Sequence, residues 1–414
     1  MTRRLSVCFA APGHTLLSTA GSTRNILATA SALSEWADVT LAFRNVAEPL
    51  TSADFKVETI AEQDSGDEAR DDVAIRGLNP LSHFAYLKSL RSYARSNAQR
   101  FDVVFEKGWR FSGFLGQAFR RHGVEAILIE NDARFWTDPV SDVRGALKYA
   151  AHFTAQQLAG YCSRRMDVVV AETEELKSAL IAGRGLQPGR IEVVSLGVDH
   201  SVFRARDTAA AREELGISPD ATVMLYVGGM DQYHDLSALL EALRDTAPPG
   251  LEIHLVGDGE YRGRYENLAR GLAVPVVFHG QVPHHRVPHY IAAADLCLAP
   301  YQTRGFFRNQ VAFSTLKIPE YMSCEKPVIS VPSGHILQLI EEGVTGFLFD
   351  NEVPRWRLFL EQIPTREQLA RMGKAAGPSV ASLSWSATAR KYLDLVRTNP
   401  SVRQDRNPGG RDSG

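Results

Sequence analysis

The segment 314–330 has the composition of a helix start that favours an anion. It reads Ser-Thr-Leu-Lys-Ile-Pro-Glu-Tyr-Met-Ser-Cys-Glu-Lys-Pro-Val-Ile-Ser, and Ser314 or Thr315 can serve as the N-cap. Pro319 has no N–H group and is tolerated only near the first turn, so we expect the helix to begin just before it. The N–H groups at such a start have no partners within the helix, and the helix dipole is positive there.

Two side chains of this segment suit a diphosphate attached to a ribose. Lys317 adds a full positive charge, and Glu320 lies one turn further on, where a carboxylate can accept two vicinal hydroxyls. The alternative is an ordinary capped helix that packs beneath a sheet.

The elements that would position these residues are short apolar strands separated by helical patterns. Strands with both faces buried and helices between them form parallel sheets covered on both sides. Two such sets occur, with a break near residues 199–219, so we expect two doubly wound α/β domains. The predicted strands are Leu5–Ala10, Val39–Phe43, Val103–Phe105, Ala126–Ile129, Val168–Ala171 and Val193–Leu196, then Val223–Val227, Glu252–Val256, Val276–Phe278, Leu296–Ala299 and Pro327–Ser330.

Length and composition agree with this organisation. A chain of 414 residues exceeds what one core commonly supports, and 44% hydrophobic with 23% charged residues is typical of soluble globular proteins. A net charge of -2 argues against a nucleic-acid partner. No apolar run approaches the roughly 18 residues of a membrane span, and the first run reads as a buried strand rather than a signal peptide. The expected compartment is the cytosol.

The loops after the strands are informative because open α/β sheets bind ligands at the carboxyl ends of their strands. In the second set, glycine turns at 228–230, 257–260 and 279–283 are followed by a basic loop at 300–308. Glycine lets the backbone approach a ligand closely, and Arg304 and Arg308 add positive charge. Together with Lys317, these loops favour an anionic nucleotide.

Taken in order, these motifs resemble the nucleotide-binding domain of GT-B glycosyltransferases, specifically the large retaining family four. The series also includes Leu-Val-Gly-Asp-Gly at 255–259, Phe-His-Gly at 278–280 and Gly-Val-Thr-Gly-Phe-Leu at 343–348. The resemblance is good from about residue 165 to 397 and loose before that. It implies two Rossmann-like domains facing a cleft: an acceptor-binding domain over 1–200 and a nucleotide-sugar-binding domain over 201–384. A helix over 385–398 would cross back to the first domain. We expect disorder in the tail 399–414 and a mobile loop at 61–80.

The resemblance implies that the second domain holds a nucleoside-diphosphate sugar. Glu320 would accept the ribose hydroxyls, the N–H groups of 315–317 would face the diphosphate, and the backbone of 280–282 would face the base. Helix dipole and basic side chains would neutralise the leaving diphosphate, so no metal or cofactor is expected. The implied donor-binding residues are Gly228, Gly229, Gly280, Val282, Arg304, Arg308, Ser314, Thr315, Leu316, Lys317 and Glu320.

The sequence departs from the family pattern at three places. Ala312 stands where a second carboxylate usually contacts the sugar, and Gly229 and His234 stand where two cations usually contact the diphosphate. Arg304 or Arg308 would replace that charge, or belong to a solvated face. In the first domain, Glu130 and Asn131 occupy the place of the usual His.

On the acceptor side we expect Gly13, His14, Glu130 and Asn131, and as catalytic residues Glu130, Arg304 and Lys317. Glu130 could orient an acceptor hydroxyl or amine, or be a strand-end residue on solvent. The loop at Gly13 lacks the Gly-x-Gly-x-x-Gly spacing of a dinucleotide fold, which disfavours a dehydrogenase.

The sequence therefore predicts a retaining hexosyltransferase (EC 2.4) that uses a nucleotide sugar, with UDP favoured on family grounds. The acceptor could be a glycan, a lipid, a protein or a small natural product. One alternative is a catalytically weak homologue that binds a nucleotide sugar or a partner protein, and another is a sugar-nucleotide epimerase. The basic residues of the helix 81–100 could rest on an anionic membrane, although a solvated face is favoured.

Overall fold

The computed structural model describes residues 3–16, 21–46, 50, 54–60, 80–131, 143–302 and 315–398. The chain divides into two units, one comprising the residues up to Leu196 together with those from Trp385 onwards, the other Gly197–Ser384. The boundary precedes residue 200 because the backbone of Val198 pairs with Ser384, and its N–H donates to Leu383 O at 2.9 Å. Of the loop predicted over 61–80, residues 61–79 lie outside the described residues and Pro80 begins a helix, and the predicted tail over 399–414 also lies outside them.

The described residues of the first unit form a seven-stranded parallel sheet with the order β3-β2-β1-β4-β5-β6-β7. Its apolar strands are buried on both faces, as the continuous apolar runs require. The strands are β1 Leu5–Leu16, β2 Ala37–Val46, β3 Lys56–Thr59, β4 Val103–Lys107, β5 Glu125–Glu130, β6 Val168–Ala171 and β7 Ile191–Val193, and the helices between them are α1 Gly21–Ser34, α2 Pro80–Asn97, α3 Phe114–Arg120, α4 Val143–Ser163 and α5 Glu174–Arg184.

In the second unit, the described residues form a six-stranded parallel sheet with the order β10-β9-β8-β11-β12-β13. Two hydrophobic cores belong to this unit. The elements are α6 Thr208–Leu215, β8 Thr222–Val227, α7 Ser237–Ala242, β9 Leu251–Val256, α8 Arg262–Ala269, β10 Val276–Gly280, α9 Val287–Ala293, β11 Leu296–Ala299, α10 Lys317–Ser323, β12 Val328–Ser330, α11 Ile336–Leu339, β13 Gly346–Leu348, α12 Val353–Glu361 and α13 Arg366–Ser379.

The last helix, α14 (Trp385–Thr398), belongs to the first unit. Its Tyr392 is buried in the core of that unit, with its ring 5.6 Å from that of Phe105. The predicted α/β class with two doubly wound sheets is confirmed.

Strand ends differ from the sequence prediction in ways that packing explains. The first strand continues to Leu16 because residues beyond Ala11 pair again with β2 after a register shift, so Gly13 lies within the strand rather than in a loop. The edge strands β3 and β13 have four and three residues, too few to give a periodic signal. The strand predicted at 193–196 is instead β7, which ends at Val193.

Strand order reverses between β8 and β11 in the second unit, because β9 lies on one side of β8 and β11 on the other. Such a reversal opens a crevice at the carboxyl ends of the strands, where ligands of open sheets bind. The turn after β8 and the residues before α10 both lie at this edge.

Candidate functional site

Backbone hydrogen bonds connect the glycine turns that follow β8, β9 and β10. The Gly228 N–H donates to Val256 O at 2.9 Å, and the Gly257 N–H donates to Gly280 O at 2.8 Å. A Cβ at Gly257 would lie 1.9 Å from Gly228 O, and its φ of 127° also requires glycine. The close approach of two turns therefore explains this glycine without any ligand.

Gly228 makes room for a side chain of the protein itself. A Cβ at this position would lie 2.6 Å from the Lys317 Nζ. The space beside Gly228, which the sequence predicted to be open to a ligand, is partly occupied by the ammonium group of Lys317. Lys317 thus brings its charge from α10 to the turn after β8, where the chain has Gly229 in place of a basic residue.

The ammonium of Lys317 is held by aromatic rings. Nζ lies 4.4 Å from the ring centre of Tyr226 and 5.7 Å from that of Tyr301, and it donates to the Tyr226 hydroxyl at 3.3 Å. Among the residues that the structure describes, no carboxylate forms an ion pair with it. Burial lowers the pKa of Lys317 to about 7, against the opposing charges of Asp231 and Glu320. Within the described part of the chain, the site thus contains a cation that contacts tyrosine side chains and forms no ion pair.

Asp231 and His234 form a hydrogen-bonded pair beside this cation. Asp231 Oδ1 lies 2.9 Å from His234 Nδ1 and accepts the Tyr233 N–H at 2.8 Å. Burial, and then the charge of Lys317, lower the pKa of His234 to about 4, so its ring is neutral at neutral pH. Burial opposes ionisation of Asp231, but the bond from His234 leads the contributions that hold its pKa below the usual value.

The start of α10 differs in one detail from the prediction. The helix begins at Lys317, with Leu316 at the N-cap and no side-chain cap bond. The Thr315 hydroxyl instead bonds to the Tyr301 hydroxyl, because both side chains are buried and satisfy each other. Pro319 is the third helical residue, as its missing N–H requires.

Glu320 lies in the first turn of α10, half-buried and close enough to raise the pKa of Lys317. The same helix is tied to the end of β8 by Tyr321, whose hydroxyl accepts the Val227 N–H at 2.8 Å. The structure therefore brings Gly228, Lys317 and Glu320 together at one edge of the sheet.

The other predicted donor residues divide into two groups. Gly280 and Val282 are described by the structure. Gly280 has φ 68° and its carbonyl accepts the Gly257 N–H, and Val282 is partly buried against a hydrophobic core of the second unit. Gly229 is exposed. Arg304, Arg308 and Ser314, and Ala312 with them, lie outside the described residues.

In the first unit, three of the predicted acceptor residues are buried or half-buried at the carboxyl ends of strands. Gly13 packs against Trp109, since a Cβ there would lie 2.5 Å from the Trp109 Cβ. His14 is 1% exposed, and Asn131 follows β5 and is half-buried.

Glu130 is placed differently from its prediction as a group that meets solvent or an acceptor. It is 1% exposed, and its carboxylate forms an ion pair with Arg184 of α5. A buried carboxylate needs such a partner, so the geometry favours a structural role for Glu130.

Sequence reasoning missed two neighbouring charged groups. Lys107 and Glu172 form a buried ion pair at 2.7 Å, with 3% and 2% of their side chains exposed. Glu106 accepts N–H bonds from Gly116 and Gly113, but burial outweighs them and raises its pKa to about 7. The apolar run Val103–Phe105 that begins β4 gave no signal that Glu106 and Lys107 would also be buried and find partners on other elements.

Two negative observations apply to the described part of the chain. No group of three or more His, Cys, Asp or Glu side chains is arranged to hold a metal ion. No helix is long and apolar enough to cross a membrane.

Two family descriptions match the chain, one in each unit. "Glycosyl transferase 4-like domain" matches residues 39–197, and "Glycosyl transferases group 1" matches residues 221–356. The chain belongs to the glycosyltransferases. The resemblance to family-four members that the sequence motifs indicate is confirmed.

Curated relatives of this glycosyltransferase include two named D-inositol 3-phosphate glycosyltransferase. The protein from Segniliparus rotundus is 30% identical over 243 residues, which is 56% of this chain and 52% of that one. The protein from a Nocardioides species is 28% identical over 331 residues, which is 74% of this chain and 69% of that one. The matched part thus spans between half and seven-tenths of their length.

Solved structures support the GT-B fold. The glycosyltransferase has a TM-score of 0.69 and 18% identity to Anabaena HepE in complex with UDP-glucose, covering 95% of this chain and all of that one. For the sucrose-phosphate synthase of Thermosynechococcus elongatus the TM-score is 0.70 with 18% identity, covering 95% and 98% of the two chains. At this identity the likeness concerns the fold.

Proposed function

We propose that this glycosyltransferase transfers a sugar from a nucleoside-diphosphate donor, with UDP as the nucleotide, bound at the edge of the second unit. The observation that carries the proposal is the ammonium of Lys317, which rests on two tyrosine rings beside the Gly228 turn and has no ion pair among the described residues. A diphosphate is the group that such a cation would stabilise in an anion site at a helix start. The HepE structure, in complex with UDP-glucose, is consistent with this donor class.

Each residue of the proposed site has a distinct role. Lys317 neutralises the charge that develops on the leaving diphosphate. Glu320 lies one turn later on the same face of α10 and accepts hydrogen bonds from the ribose hydroxyls. The backbone at Gly280 and Val282 is proposed to hold the base. Fixed charge directed at the developing negative charge is the kind of stabilisation that contributes most to such reactions.

We further propose that the transfer proceeds with retention and without a metal ion, as the family resemblance implies. Lys317 then neutralises the diphosphate in place of a metal ion. In its charged form it stabilises the leaving group, which in turn accepts the proton of the acceptor hydroxyl.

The acceptor is proposed to be a small hydroxylated molecule. Inositol 3-phosphate is the first to test, because the curated relatives are named for it. Glu130 is left out of the proposed mechanism, since its carboxylate is engaged by Arg184.

Donor binding and slow donor hydrolysis test the proposal. Purified protein is incubated with UDP-, GDP- and TDP-glucose, with and without inositol 3-phosphate, and release of nucleotide is measured. We expect release from UDP-glucose that depends on Lys317. Binding without release under every condition would favour the catalytically weak homologue, and neither binding nor release of any donor would refute the donor site.

A further inference from the structure

A cavity lies in the second unit at the amino ends of the strands, opposite the proposed donor site. Its volume is about 400 Å³, within the range of small-ligand pockets, and it is bordered by the residues that immediately precede β11 and β12. Asp295 precedes the first of these strands and Pro327 the second. Because α10 begins near the carboxyl ends of the strands and ends at this cavity, the cavity is separate from the proposed donor site by the length of that helix.

Positive charge dominates the lining of this cavity. Among the described residues that border it, four are cationic and two are acidic. Asp295 is already engaged by two guanidinium groups, at 2.7 Å from Arg212 and 3.3 Å from Arg366. The cationic residues are Arg206, Lys326, Arg366 and Lys374.

Two helices point their positive ends toward the same space. Thr208 is the first residue of α6, Arg366 is the first residue of α13, and both border the cavity. A cation at a helix start is unfavourable with respect to the dipole, so Arg366 adds to the positive potential there. Asp207 caps α6 and offsets part of that potential.

Lys326 is the deepest of the four cations and has only neutral partners. Its Nζ donates to Ala292 O at 2.8 Å and to Thr208 Oγ1 at 3.1 Å, and no described carboxylate forms an ion pair with it. Burial lowers its pKa, and the nearby Asp295 carboxylate opposes that shift without forming an ion pair with Lys326. A bound anion would add to that opposing charge.

The backbone at the rim contains a left-handed residue. Glu325 has φ 55°, and it is the non-glycine residue with a positive φ in the described part of the chain. Glu325 occupies the left-handed position of the Schellman motif that ends α10, in which the Glu325 N–H donates to Met322 O at 2.9 Å and the Lys326 N–H donates to Tyr321 O at 3.1 Å, so helix termination accounts for this conformation. Its carboxylate has no ion pair among the described residues, although cations border the same cavity.

We propose that this cavity binds a small phosphorylated anion, either inorganic phosphate or a phosphate monoester. Arg206 and Lys374 are exposed at its mouth and would contact the anion from two sides, while Lys326 would compensate its charge from within. The site is independent of the proposed donor function, because none of these residues lies at the glycine turns or at the start of α10.

Isothermal titration calorimetry with inorganic phosphate at constant ionic strength tests the site in the full chain. We expect saturable binding by the wild type and the same affinity for Lys317→Ala, which disables the proposed donor site. Arg206→Gln/Lys374→Gln should bind at least about tenfold more weakly, since each substitution removes a charge-assisted contact. The matched control, Arg264→Gln/Arg371→Gln, removes two exposed cations of the same unit outside the cavity and should leave the affinity unchanged.

Three results would overturn the proposal: no saturable binding by the wild type, binding that disappears in Lys317→Ala, or equal affinities of the two double variants. Should the cavity variant fail to fold by circular dichroism, Lys374→Gln alone replaces it with the same readout. Glycerol 3-phosphate, titrated in parallel, distinguishes the source. Tighter binding than inorganic phosphate assigns the site to monoesters, and weaker binding assigns it to the free anion.

Discussion

Donor affinity should fall as the pH rises above 7, because Lys317 loses its proton in the empty site near that value. Burial lowers its pKa to about 7, whereas a bound diphosphate would raise it again. Below pH 7 the ammonium is charged before and after binding, whereas above pH 7 donor binding must take up a proton. Affinity is therefore greatest below pH 7 and is lost with a slope that approaches one decade per pH unit.

The magnitude follows from the fraction of protein that carries the proton. With a pKa near 7, that fraction is about one half at pH 7 and about one in a hundred at pH 9, which predicts a loss of about 50-fold or about 2.3 kcal/mol. Calorimetric titration with UDP-glucose at pH 6, 7, 8 and 9 measures it directly. A nucleotide sugar is preferable to free UDP because its diphosphate has no group that titrates near neutrality.

Asp231 provides the internal test of this reasoning. Its charge helps to keep Lys317 protonated, so Asp231→Asn should move the loss of affinity to lower pH. Lys317→Met should remove the pH dependence together with most of the affinity. A wild-type affinity that is constant between pH 6 and 9 would refute the proposed coupling between Lys317 and the diphosphate.

Three further predictions concern the same groups. Gly228→Ala places a Cβ 2.6 Å from Lys317 Nζ, so donor affinity should fall at least about tenfold while Gly263→Ala, which meets nothing within 4 Å, leaves it unchanged; equal affinities would show that the ammonium is not held there. Lys317→Met should raise the free energy of unfolding at pH 6 by about 1 kcal/mol, measured by urea unfolding, because the lowered pKa means that the charged lysine destabilises the native state fully below pH 7. That gain should shrink as the pH rises from 7 towards 10. A loss of stability at pH 6 would contradict this prediction. Arg184→Met should cost about 3 to 5 kcal/mol by leaving the Glu130 carboxylate buried without its partner, and Glu130→Leu/Arg184→Met should recover most of it; a cost below about 1 kcal/mol for the single variant would contradict the structural role of this pair.

The sequence could predict the sheets and the helix start because both depend on local patterns. Continuous apolar runs identified most strands, and Pro319 together with Lys317 located the beginning of α10. Strand edges were less predictable: β3 and β13 are too short for periodicity, and the continuation of β1 through Gly13 depends on pairing with β2 rather than on its own residues.

The side-chain partners could not be predicted, because they come from residues far apart in the chain. Tyr226 and Tyr301 surround Lys317 only once β8 and β11 lie side by side. The same reason explains Glu130, which read as a solvent-facing or acceptor-binding carboxylate until α5 brought Arg184 against it. The sequence offers only a weak indication that Asp231 and His234 pair, namely their spacing of three residues just after the Gly228 turn. The role of the pair depends on the ammonium of Lys317 beside it.

Lys317 and Glu320 are proposed to bind the diphosphate and the ribose of a nucleotide sugar. The most direct test is calorimetric titration of UDP-glucose at pH 7 into the wild type, Lys317→Ala, Glu320→Ala and the exposed control Lys391→Ala. We expect binding by the wild type and the control, and affinities at least about tenfold lower for the two site variants. Unchanged affinity in Lys317→Ala and Glu320→Ala would contradict the proposed site.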